Sequence, residues 1–183
     1  LKRADGFRLI TPKVEACLEL LASAFQNKRK VIIFAAYNNC LEILQEAGGN
    51  LPKAYWNSIN GSTPGEERQS ILNEFSKHPD NAVLVLNPKA AGAGLNIQSA
   101  TIVIHLTQYW NPALEAQASA RSHRTGQKHP VTVYYLFYEN TVEQIMLDRT
   151  ELRRKMANAA VAVTLSSNAE DLEKALTISP LEQ

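Results

Sequence analysis

The chain has little cysteine, almost no net charge and no long apolar run. Its 183 residues include two cysteines. Cys17 falls in a helical pattern and Cys40 near a strand end, a placement that fits neither a metal site nor a disulfide framework. A reducing, intracellular setting is therefore expected, the cytoplasm if the source is prokaryotic. Nineteen Lys and Arg against 18 Asp and Glu leave a formal charge of +1, so nucleic-acid binding has to come from a local patch. No apolar stretch approaches the ~18 residues of a membrane span and no signal-peptide pattern opens the chain, so neither a membrane partner nor secretion is supported. Internal repeats and low-complexity tracts are also missing.

What is present is a core-forming chain with 45% apolar residues, in which strand-like runs alternate with helical patterns. That alternation predicts an α/β fold, a parallel sheet covered by helices on both faces. Thr11-Pro12 supplies an N-cap and a first-turn proline, and Val14, Cys17, Leu18, Leu21 and Phe25 then recur at helical spacing to about Asn27. Val31 to Ala35 suits a strand buried on both faces. A short helix through Leu41 and Leu44 is expected to stop at Gly48-Gly49. A second strand is expected at Asn57 to Asn60. The next helix, through Phe75, opens at Thr63 and Glu66 with capping-box spacing. Ala82 to Leu86, Thr101 to Leu106 and Val131 to Phe137 complete the strands. Thr141 with Gln144 caps a last long helix.

Two segments carry chemistry. After Ala82 to Leu86, the stretch Asn87 to Asn96 places Gly92 and Gly94 where backbone N–H groups can face an anion, although an ordinary strand-to-helix turn would use the same glycines. From Gln117 to Gln127, a helix opened by Asn111-Pro112 sets Gln117, Arg121 and Arg124 at i, i+4 and i+7, on one face. Two guanidiniums aimed one way suit a phosphate; a solvated surface face is the alternative. Trp110 just upstream fits an interface or a core anchor. His105 and His123 have no second ligand at helical spacing, so packing is expected of them and no metal site.

Together these residues carry a resemblance. Lys30-Val-Ile-Ile-Phe, Asn60-Gly-Ser-Thr-Pro with Arg68, Lys89-Ala-Ala-Gly-Ala-Gly-Leu-Asn, Tyr109-Trp-Asn-Pro and Gln117 to Gln127 resemble, in order and spacing, the second RecA-like lobe of the Swi/Snf-related ATP-dependent DNA translocases of helicase superfamily two. The resemblance runs from about Pro12 to Met156. It implies that Gln117, Arg121 and Arg124 form motif six, with both arginines reaching ATP on the other lobe. It also implies that Lys89, Gly92, Gly94, Leu95 and Asn96 form motif five, coupling nucleotide to DNA contacts, and that Val31 to Ala35 form motif four with Lys30 and Tyr37 at its edges. Lys30, Tyr37, Lys89 and Trp110 are the implied DNA-binding residues, and Arg68 is either structural or at the DNA edge. Three positions depart from the family pattern. Asn87 replaces a serine or threonine, Ala91-Gly92 replaces paired glycines, and Thr107 stands where an acid usually precedes the tryptophan by three. No role carries over to Thr107.

A Gly-x4-Gly-Lys-[Ser/Thr] loop and an Asp-Glu box are absent, so ATP and Mg²⁺ are expected on a first lobe outside this sequence. The expected organisation is the end of an inter-lobe linker (1–11), RecA-like lobe two (12–140), a brace-like helix (141–163) and a tail (164–183). Double-stranded DNA and the N-terminal lobe of the same polypeptide are the expected partners. The fragment alone is expected to be inactive. A free-standing, non-catalytic RecA-like module and the lobe of a strand-separating helicase or restriction motor are the alternatives.

Overall fold

Val31, Ile32, Ile33 and Phe34 are completely buried, and that run forms the middle of the sheet. The computed structural model describes residues 10–91, 97, 99–108 and 130–158. Its elements are α1 (Pro12–Gln26), β1 (Lys30–Phe34), α2 (Cys40–Ala47), β2 (Tyr55–Ile59), α3 (Gly65–Lys77), β3 (Ala82–Leu86), the single turn α4 (Pro88–Ala91), β4 (Ile102–His105), β5 (Thr132–Tyr135) and α5 (Val142–Asn158). The strands lie in the order β2-β3-β1-β4-β5, and every neighbouring pair is parallel. Ile32 is in register with Leu84 on one side and Val103 on the other. This is the parallel α/β sheet expected from the alternation of elements, and it agrees with the RecA-like lobe that the resemblance implies.

Successive strand residues face opposite sides, and two cores result. On one face Val31, Ile33, Val83, Val85, Ile102 and Ile104 pack under Cys17, Leu21 and Phe25 of α1 and Leu44 of α2. On the other, Ile32, Phe34, Leu84, Leu86 and Val103 pack under Ile71, Leu72 and Phe75 of α3. A strand covered on both faces has no polar side to show, and β1 and β3 therefore read as unbroken apolar runs. β2 lies at the sheet edge with only Ile59 buried. It starts two residues before the expected Asn57 because Tyr55 and Trp56 pair with β3 while their side chains are partly exposed. His105 packs, as expected of it. It is fully buried, its ring stacked 5.1 Å from Phe34 and 4.6 Å from Tyr135, centroid to centroid.

The helix ends show which local signals operate. Thr11 Oγ1 accepts the Val14 N–H at 3.4 Å and Pro12 opens α1. The capping box expected at Thr63 does not form: Pro64 occupies the N-cap of α3 without a side-chain bond. The Thr63 hydroxyl instead accepts the Asn60 N–H at 3.1 Å, closing the turn after β2. At α5, Thr141 Oγ1 accepts the Glu143 N–H at 3.3 Å and Gln144 Oε1 accepts the Asn140 N–H at 2.8 Å. α2 stops at Gly48 for a reason other than a left-handed cap, since its φ is −91°. A Cβ there would lie 2.7 Å from the Leu44 carbonyl oxygen and 3.1 Å from Leu18 Cδ2. Close approach of α1 and α2 requires the glycine.

Candidate functional site

All five strands run the same way, so their carboxyl ends form one edge of the sheet, where ligands of open α/β folds gather. The backbone ladder continues one residue past the strands at this edge. Ala35 N–H bonds Leu86 O, Asn87 N–H bonds Ile59 O, Leu106 N–H bonds Phe34 O and Leu136 N–H bonds His105 O, each at 3.0 Å. Side chains then take over. Thr107 Oγ1 accepts the Ala36 N–H at 3.0 Å, the Asn87 amide donates to the Ala36 carbonyl at 3.2 Å, and the Gln108 amide donates to the Leu136 carbonyl at 2.9 Å. Three connections that the sequence separates widely are held side by side.

Tyr37 follows the held Ala36 at this edge with 41% of its surface exposed. Local burial, then the neighbouring Cys40, Cys17, Glu143 and Tyr138, push its phenol well above the ordinary range, so it is a neutral hydrogen-bonding group. Beside it the first turns of α1 and α5 meet. Lys13, 9% exposed, pairs with Glu143 and lies 5.1 Å from the Tyr138 ring centroid, while Glu143 Oε2 also accepts the Tyr138 N–H at 3.0 Å. Nothing in the periodicity of α1 marks Lys13, whose partner lies at the far end of the chain.

The other expected site residues divide into groups. Lys30 is not at the carboxyl edge. It begins β1 at the opposite edge, where its ammonium donates to the Ser76 carbonyl at 2.6 Å and lies 5.8 Å from the Phe75 ring centroid. Burial lowers its pKa, and it serves the carboxyl end of α3. Arg68 is structural: Nε donates to the Thr63 carbonyl at 2.8 Å and Nη2 to the Asn60 carbonyl at 3.4 Å, fixing the turn after β2. Lys89 lies in α4, directly after Asn87 and Pro88, and only its backbone is described. Gly92, Gly94, Leu95, Asn96, Trp110, Gln117, Arg121, His123 and Arg124 lie outside the described residues. Among the described residues no three His, Cys, Asp or Glu side chains gather into a metal site, and no helix is long and apolar enough to cross a membrane.

The five-stranded parallel sheet with helices packed on both faces defines a RecA-like α/β lobe. Residues 12–126 match the helicase conserved C-terminal domain family, and the chain belongs to that family. Its curated relatives include proteins named as ATP-dependent helicases and as SWI/SNF-related regulators of chromatin. Over 158 residues, 84% of the chain, it is 33% identical to an uncharacterized ATP-dependent helicase of Mycoplasma pneumoniae, of which it covers 15%. Over 151 residues, 81% of the chain, it is 32% identical to the SWI/SNF-related matrix-associated actin-dependent regulator of chromatin subfamily A member 1 of Mus musculus, of which it covers 14%. The C-terminal part of the Fun30 ATPase domain superposes with a TM-score of 0.70 at 28% identity, over 80% of this chain and 47% of that one. The chain thus spans about one seventh of the length of these two curated relatives.

Proposed function

We propose that the chain is the second motor lobe of an ATP-dependent double-stranded DNA translocase, supplying two arginines to a nucleotide held mainly by a first lobe. The observation that carries this is the carboxyl edge. There the connections after β1, β3 and β4, which lead into Tyr37, Lys89 and Trp110, are tied to one another through Ala36. Gln117, Arg121 and Arg124 follow Trp110 in the same connection, at a spacing that gives a helix one donor face.

The donor set suits a phosphate and not a cation. Guanidiniums carry N–H donors and no lone pair for a metal, so Mg²⁺ is assigned to the first lobe with the nucleotide. When bound, ATP supplies the phosphoryl group whose transfer to water drives the motor. Arg121 and Arg124 hold the negative charge that spreads over the transferred group, a contribution of ~10³–10⁵ in rate for arginines supplied in this way. Lys89, Trp110 and Tyr37 bear on the tracked DNA, the lysine by charge and the aromatic rings by their faces. Closure of this lobe on its partner moves those contacts along one strand, and release after hydrolysis completes a step.

The test uses the full-length protein. Arg121→Ala or Arg124→Ala is expected to lower DNA-stimulated ATP turnover by about 10³; near-normal turnover in both variants removes the assignment. Translocation along duplex without strand displacement is expected. Efficient separation of strands would place the protein among the true helicases instead. The isolated chain is expected to bind DNA weakly, in a salt-sensitive manner, and to show no measurable ATPase.

A further inference from the structure

We propose that Asn87 and Thr107 are positioning residues of the motor, which lock the three carboxyl-edge loops into one body by gripping the two faces of a single residue, Ala36. The inference rests on the motor assignment above. β1 lies between β3 and β4 in the sheet, and Ala36 is the second residue beyond it. Its N–H is taken by Thr107 Oγ1 at 3.0 Å, from the β4 side. Its carbonyl is taken by the Asn87 amide at 3.2 Å, from the β3 side. One residue earlier the same three connections are still joined by main chain, with Ala35 bonded to Leu86 and Leu106 to Phe34. The side chains therefore extend the rigid sheet by one residue into segments that would otherwise move separately and bond water.

The position of the grip gives it consequence. Tyr37 follows Ala36 directly. Asn87 accepts the Ala90 N–H at 2.9 Å through its own carbonyl, so it also starts the turn that contains Lys89. Thr107 precedes Trp110 by three residues. A shift of the β4 connection pulls on the Ala36 N–H, and the Ala36 carbonyl passes it to Asn87. Nucleotide-facing and DNA-facing segments then move together, as coupling of two sites through a shared element requires.

The test measures the ratio of DNA-stimulated to basal ATPase, and the distance moved per ATP, in the full-length motor. Thr107→Val keeps the shape and removes the acceptor. Asn87→Asp keeps the size and places an acceptor against the Ala36 carbonyl. Each is expected to lower the stimulation ratio at least about fivefold, the low end of site-to-site couplings. The double variant is expected to be no worse than the poorer single, because both act through Ala36. Thr107→Ser is expected to restore the ratio. An unchanged ratio in both singles, or losses that multiply in the double and track only the folded fraction, would overturn the proposal. If Thr107→Val does not fold, the Asn87→Asp ratio decides alone. Loss of turnover in Arg121→Ala with an intact ratio in these variants discards this inference and leaves the motor assignment standing.

Discussion

Lys13 and Glu143, 130 positions apart, form an ion pair that fastens the first turn of α5 to the first turn of α1. A lysine only 9% exposed has lost most of its hydration, and it recovers the loss through the carboxylate and the face of Tyr138. The carboxylate in turn holds the Tyr138 N–H. α5 is thus docked to α1 by the Lys13–Glu143 pair.

Lys13→Met is expected to destabilise the protein by about 1–3 kcal/mol, between the small worth of an exposed pair and the cost of stranding a fully buried charge. Glu143→Gln should cost at least as much, because the single amide oxygen cannot accept both the Lys13 ammonium and the Tyr138 N–H, and the buried lysine loses its countercharge. Urea unfolding of both singles and the double would show a coupling of about 1 kcal/mol or more; additive losses would mean that the pair is incidental.

Gly48→Ala is expected to cost about 1–3 kcal/mol, although alanine is the better helix former. The new methyl would meet the Leu44 carbonyl at 2.7 Å and Leu51 Cδ1 at 3.0 Å. Gly61→Ala, where nothing lies within 4 Å, provides the control in the same thermal melt. Equal melting temperatures for the two variants would contradict the close approach.

Burial pushes the Cys17 and Cys40 thiols from 9.0 up to about 12, Cys17 helped by Cys40 and Cys40 by Glu42. Each thiol holds its proton more tightly in the folded protein than in the unfolded chain. Their contribution to stability is therefore intact below pH 9 and declines between pH 9.0 and about 12. Alkylation of the native protein at pH 8 should be on the order of 10³ slower than for a free cysteine and reach the free rate in denaturant. Rapid native labelling would show that the α1–α2 core opens.

Lys30→Ala should leave DNA affinity of the full-length protein unchanged and cost about 0.5–1 kcal/mol of stability through the carboxyl end of α3. Lys89→Ala should weaken binding and reduce the salt slope by about 1. An equal loss of affinity for Lys30→Ala would return that residue to the DNA interface.

How much of this is legible in sequence depends on the range of the interaction. Val31 to Phe34 and Ala82 to Leu86 announce themselves, because burial on two faces leaves an apolar run in the chain itself. β2 is harder: at the sheet edge, Asn57 and Ser58 are tolerated and the strand boundary blurs. Thr63 and Glu66 have the spacing of a capping box, yet the intervening Pro64 takes the N-cap and diverts the threonine hydroxyl to Asn60. Lys30 is adjacent to the Val31–Phe34 run in sequence, but strand direction places it at the amino edge of the sheet, beside the Ser76 carbonyl. The grip on Ala36 cannot be read at all, since it joins side chain to backbone across 51 and 71 positions. A side chain seeking a remote peptide group leaves no periodicity.

The register of β1 also bears on how the protein is made. Val31 pairs with Val83 and with Ile102, so the central strand leaves the ribosome long before either of its neighbours exists. At ~5–20 residues per second, several seconds pass during which Val31 to Phe34 have helices to pack against but no neighbouring strand to pair with. Slowing synthesis between β1 and β4 is therefore expected to lower the yield of native protein even though no residue has changed.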